Sequence, residues 1–257
     1  MSRILAWVLL LATAAQAGVV YTATTRSQTG EAIAVTRVRG YIQDANARLE
    51  FLEGSSQYSG TYILSRDGGK TFVQVDPERR VYTRWDSPQT SSPQKDEAQH
   101  VKTSISEPKF EKLLDEDGGL ILGMKTRHVR FRTSYTFTVS LRESYTTSIH
   151  SEDDLWITND IHDPGLKNWL SGSSDQSGEQ AAALVRGEIS KINGIPLKRK
   201  TVLTSIEEDG ESETTRTEMQ VTEIVRRALP AYTFVIPPAY KVLAAPENKN
   251  APDAHEH

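Results

Sequence analysis

Val129, Phe131, Thr133, Tyr135, Phe137, Val139 and Leu141 alternate with His128, Arg130, Arg132, Ser134, Thr136, Thr138 and Ser140. A run of alternation this long puts one set of side chains on each face of an extended chain, whereas a helix would scatter both sets around its axis. The stretch reads as one long strand, or as two strands about a bend near Thr133-Ser134. One face is apolar and the other is wet.

Neighbouring segments carry the same signature. Tyr62 to Leu64 and Phe72 to Val75 flank Arg66-Asp67-Gly68-Gly69-Lys70, a hairpin turn with two glycines free to take positive φ. Asp76-Pro77-Glu78-Arg79 is a turn with proline in its favoured second position, and Val81-Tyr82-Thr83 continues as the next strand. Leu197 to Ile206 and Thr214 to Val225 flank the acidic turn Glu207-Glu208-Asp209-Gly210-Glu211, a second hairpin. Ile33 to Ile42 and Ala47 to Leu52 form an early hairpin around Asp44-Ala45-Asn46. Threonine and β-branched residues recur throughout, as a pleated, half-buried surface prefers.

Three short helices are expected. Lys109 to Asp115 spaces Phe110, Leu113 and Leu114 as one or two helical turns would. Asp163 to Leu170 starts with an N-capping aspartate and a proline at the first position. Glu179 to Val185 is the third. Ser87 to Gln99 and Ser171 to Gly178 read as loops, and 244–257 as a disordered tail.

Residues 1–17 read as a secretory signal peptide. Arg3 gives the positive start, Ile4 to Ala12 the apolar run, and Ala15-Gln16-Ala17 the small residues a signal peptidase requires. The run falls short of the about 20 apolar residues of a spanning helix. With no linker between two cores, 18–243 reads as a single domain without an integral membrane segment.

The chain has 257 residues, no cysteine, and a formal charge of −4. The missing cysteine excludes disulfides, thiolate metal sites, a cysteine nucleophile and a lipid-modified N-terminal cysteine. Cleavage after Ala17 leaves 240 residues at −5. That mild charge gives no bulk attraction to nucleic acid. Arg127, Arg130 and Arg132 form a local basic patch, read as cross-strand pairing with carboxylates.

Catalytic signatures are weak. There is no G-x-S-x-G elbow. Gly68-Gly69-Lys70-Thr71 ends like a phosphate-binding loop but joins strand to strand, so it reads as a hairpin. Asp115 to Gly119 lacks the later glutamate of a calcium loop. His150, Glu152, Asp153, Asp154, Asp160, His162 and Asp163 crowd into a short stretch that a zinc-assisted hydrolase could use. Solvated turns at the two ends of the apparent strand Leu155-Trp156-Ile157-Thr158 explain them as well.

An apolar ligand is the reading with most substance. A long bent sheet can enclose a hollow. Val129, Phe131, Tyr135, Phe137 and Val139 would line it, with Trp156, Leu166, Trp169 and Leu170 covering its mouth. The same residues could simply fill a core, which is the commoner use of such a face.

The order of motifs resembles a known superfamily. It comprises Tyr62 to Tyr82 (strand, turn, strand, then D-P-x-x-x-x-Y), Gly123 to Phe131 (G-x-K-T-x-x-V-x-F), Leu155 to Ile161 (L-W-I-T-x-D-I), Gly194 to Leu197 (G-I-P-L) and Tyr232 to Tyr240 (Y-x-F-x-I-P-x-x-Y). This order is similar to the lipoprotein-localisation-factor-like (LolA/LolB-like) superfamily of periplasmic proteins, closest to an uncharacterised branch. The resemblance implies a mainly β, α+β fold: a strongly curved antiparallel sheet or incomplete barrel of about eleven strands, with a few short helices on its concave face. It also implies a periplasmic, non-enzymatic protein without a cofactor, whose partner is a lipid, an acyl chain or a lipoprotein. An interaction module docking on an envelope complex is the alternative.

Overall fold

The computed structural model describes residues 17–54, 59–86, 102–140, 144–161, 166 and 193–243. The strands are β1 Gly18–Thr29, β2 Ala32–Gln43, β3 Asn46–Glu53, β4 Tyr62–Ser65, β5 Thr71–Asp76, β6 Val81–Asp86, β7 Lys102–Ile121, β8 Met124–Ser140, β9 Ser144–Thr158, β10 Ile195–Glu207, β11 Ser212–Arg227 and β12 Lys241–Val242. They form one open, curved sheet in the order β12-β6-β5-β4-β3-β2-β1-β11-β10-β9-β8-β7. Every pair is antiparallel except β12 with β6. The expected open antiparallel sheet is present, with twelve strands among the described residues.

The hairpins fall where the turn residues place them. Asp67 organises the β4–β5 turn, accepting hydrogen bonds from Ser65 Oγ and from the backbone N–H of Lys70 and Thr71, each at 3.0 Å. Asp76 accepts the N–H of Arg79 at 2.9 Å. These short side chains satisfy backbone donors that the ladder leaves open.

One expectation is overturned. Lys109 to Asp115 is not helical; it lies inside β7, paired along its length with β8. The register of that pair shifts between Ser106 and Lys109, between Lys112 and Leu114, and between Asp117 and Gly119. A bulge inserts an extra residue and resets the alternation. Phe110, Leu113 and Leu114 therefore acquire a helix-like spacing within an extended strand. Of the other two expected helices, only Leu166 lies among the described residues; it is helical and fully buried. Trp169, Leu170, residues 1–16, both loops at 87–99 and 171–178, and the tail at 244–257 lie outside them.

The main core gathers on one face around the middle of the sheet: Val19, Tyr21, Ala23, Ile42, Ala47, Ile195, Leu197 and Val221, with Ile161 and Leu166 against them. Fully burying one such side chain contributes about 1.5–3 kcal/mol. A second cluster lies at β4 and β5, where Tyr62, Leu64, Val73 and Val75 receive Phe234 from the 3-10 turn Ala231–Phe234. Arg48 fastens that turn. Its guanidinium sits 3.8 Å over the Tyr62 ring, donates to Thr233 O at 3.2 Å and pairs with Glu50 at 2.8 Å.

Candidate functional site

The site is built on β8, β9 and β10. Register pairs Val129 with Leu155, Phe131 with Asp153, and Tyr135 with Ile149 on the buried face. Val129, Phe131, Leu155 and Ile157 form one apolar patch. Phe110 of the edge strand tilts over Phe131, with ring centroids 5.0 Å apart. Further along, Tyr135 and Ile149 form a second patch with Ile105, Phe137 and Leu203.

A charged pair sits in this apolar surround. Asp153 is 1% exposed. Its Oδ1 accepts Arg199 Nε at 3.0 Å, Arg199 Nη2 at 2.7 Å and Thr201 Oγ1 at 2.6 Å. Its Oδ2 accepts Ser151 Oγ at 2.9 Å. A carboxylate this deep is tolerable only when paired and fully hydrogen-bonded, and here it is both. Thr133, in register with Ser151 and as buried as Asp153, has no hydrogen-bond partner for its hydroxyl among the described residues.

The opposite face of the same strands is a lattice of charge. Arg130 Nε bonds Asp154 at 2.8 Å, Arg132 Nε bonds Glu152 at 3.0 Å, and Lys198 pairs with Glu218 at 3.2 Å. The arginine patch is thus paired across strands with carboxylates, as its alternation suggests. Exposed pairs of this kind contribute about 0–1 kcal/mol each and mainly fix register. Burial works to raise the Asp154 carboxyl, but hydrogen bonds from Arg130 and His128 outweigh it and hold the group below the usual carboxylate range.

The expected ligand-contacting residues divide. Val129, Phe131 and Tyr135 are buried on one face, and Phe137 and Val139 are half-buried there. Leu166 packs in the main core. Trp156 points the other way: it pairs with His128 on the charged face, where the two rings stack, and Lys198 Nζ stands 5.1 Å from the indole centroid. It does not share the face of Phe131.

The acidic stretch also resolves differently from its reading as turns. His150, Glu152, Asp153 and Asp154 lie within β9, which begins at Ser144 rather than Leu155. Asp153 and Asp154 therefore face opposite sides, and each is committed to its own arginine. Alternation inside a strand cannot converge neighbouring carboxylates on one ion. Asp160 accepts the backbone N–H of Lys125 at 3.0 Å, and His162 and Asp163 lie outside the described residues.

Sequence reasoning missed Asp153, Arg199, Thr201 and Ser151 as a unit. One signal was present: counting back by two from Ile157 and Leu155 lands on Asp153, a carboxylate in an apolar stripe. Its partner lies 46 residues downstream and is set only by the β9–β10 pairing.

No family model matches the chain, and no curated protein matches it. Two solved structures overlay on it loosely. A LolA superfamily protein from Nitrosomonas europaea aligns at 10% identity and a TM-score of 0.32, covering 86% of this chain and 91% of that one. A DUF1329 family protein from Desulfovibrio piger aligns at 8% identity and a TM-score of 0.34, with the same coverage.

Proposed function

We propose that this protein is a non-enzymatic binder or carrier of the cell envelope, exported to the periplasm, that holds an apolar ligand or the acyl chain of a lipidated partner. The ligand lies against the buried face of β8–β10. The observation that carries this reading is the apolar stripe of Val129, Phe131, Tyr135, Leu155 and Ile157 on one face of an open, curved sheet. An open sheet can admit a chain beside its apolar face without breaking a closed ring of backbone hydrogen bonds.

The test is native mass spectrometry of gently purified protein, paired with displacement of a fluorescent fatty-acid probe. A bound lipid mass, or probe binding that Phe131→Asp abolishes, supports the reading. Protein that is ligand-free and does not bind the probe sinks it.

A docking module is the second reading, and the β7–β8 turn favours it. Leu120 is 70% exposed, and Leu122 holds a left-handed φ of 51° beside Gly123. A leucine in that conformation is strained and persists where the fold or a partner compensates. Replacing Leu120 and Leu122 with serine would abolish partner capture under this reading and leave lipid-probe binding unchanged.

A further inference from the structure

We infer that the ligand carries a neutral hydrogen-bonding group, an ester or a hydroxyl, and that Thr133 meets it. This rests on the proposal that the buried face of β8–β10 holds an apolar chain. Three observations support the refinement.

The first is the unpartnered hydroxyl. Thr133 is 1% exposed, and its Oγ1 makes no hydrogen bond among the described residues. Buried hydroxyls nearly always find a partner, because leaving one unpaired forfeits its hydration without return. A hydroxyl both donates and accepts, so an ester carbonyl or an alcohol satisfies it equally well. The second is location. Phe110 is the register partner of Thr133 across β7 and β8 and tilts over Phe131, which lies two residues before Thr133 on β8, while Tyr135 lies two residues after it. A polar group meeting Thr133 therefore stands between two apolar patches, where the head of an amphiphile would leave its chain against aromatic and aliphatic side chains.

The third is charge. Ser151, the register partner of Thr133, hydrogen-bonds Asp153, whose charge Arg199 already matches. The local charge is therefore balanced before any ligand arrives. A free carboxylate would add an unmatched negative charge next to Asp153 in a low-dielectric setting, whereas an ester or hydroxyl adds none.

The experiment uses the full chain and three probes with the same apolar tail: methyl laurate, dodecanol and laurate. Each displaces a fluorescent alkyl probe at pH 8, where laurate is ionised. The expected result is that the ester and the alcohol bind about tenfold more tightly than laurate. Thr133→Val, which keeps the shape and removes the hydroxyl, should weaken ester and alcohol binding about threefold to tenfold, the value of one neutral hydrogen bond. Thr133→Ser should restore it. Equal affinity for the three probes overturns the inference while leaving the apolar-ligand reading intact. So does a Thr133→Val protein whose preference is unchanged. Failure of all three probes to displace the fluorophore removes both.

Discussion

The imidazole of His128 lies flat on the indole of Trp156, with ring centroids 4.3 Å apart and planes inclined by 5°. The two are register partners across β8 and β9, and His128 Nε2 stands 2.6 Å from Asp154 Oδ1. One ring thus ties two strands by stacking and by a hydrogen bond on an otherwise solvated face. His128→Ala should cost about 1–2 kcal/mol, the sum of an aromatic pair and one hydrogen bond. His128→Phe, which keeps only the stack, should fall between the two. Urea unfolding monitored by far-ultraviolet circular dichroism checks both.

The Asp153–Arg199 pair should behave asymmetrically. Asp153→Ala leaves Arg199 without its counter-ion and should cost about 3–5 kcal/mol. Replacing both, as Asp153→Leu with Arg199→Met, should recover most of that loss, because an apolar pair no longer needs mutual compensation. Equilibrium unfolding of the single and double variants forms the cycle that measures it. A double variant no more stable than Asp153→Ala alone would contradict the buried-pair account.

Gly40 is fixed by its partner. Tyr21 lies opposite it across β1 and β2 and covers its Cα, so a methyl group there would overlap the tyrosine ring. Tyr21 is itself 2% exposed, and burial pushes its phenol pKa upward. Gly40→Ala should therefore destabilise by about 1–3 kcal/mol through overpacking, despite alanine's lower unfolded-state entropy. The shift in thermal midpoint reads this directly.

Asp67 carries a pH signature. Hydrogen bonds led by the Thr71 N–H lower its carboxyl from an ordinary 3.8 to about 2. A carboxyl whose folded pKa is depressed contributes stability that is fully present above its unfolded value and is lost as pH falls through the folded one. The stability difference between the protein and Asp67→Asn should stay level near neutrality and shrink between about pH 4 and pH 2. Acid unfolding of the two proteins side by side checks the window.

The strand β8 was legible because both its faces keep strict alternation over a length no helix could imitate. The hairpins at Asp67 and Asp76 were legible because turn chemistry is local. β7 was not, because its bulges against β8 reset the alternation and gave Phe110, Leu113 and Leu114 a helical spacing. Register shifts depend on the partner strand, although Pro108 and Gly118, which fall at two of the three, are residues that mark bulges inside strands.

The sequence by itself determined the strand-rich class and the wet and apolar faces of β8. These follow from period two, which is set between neighbouring residues. Only the tertiary structure decided that Arg130 and Arg132 meet Asp154 and Glu152, that Trp156 faces the charged side, that Asp153 is buried against Arg199, and that the Thr133 hydroxyl stands unpartnered among the described residues. Each of those depends on which distant strand lies alongside and in what register. In an antiparallel sheet, a one-residue slip moves every side chain to the other face.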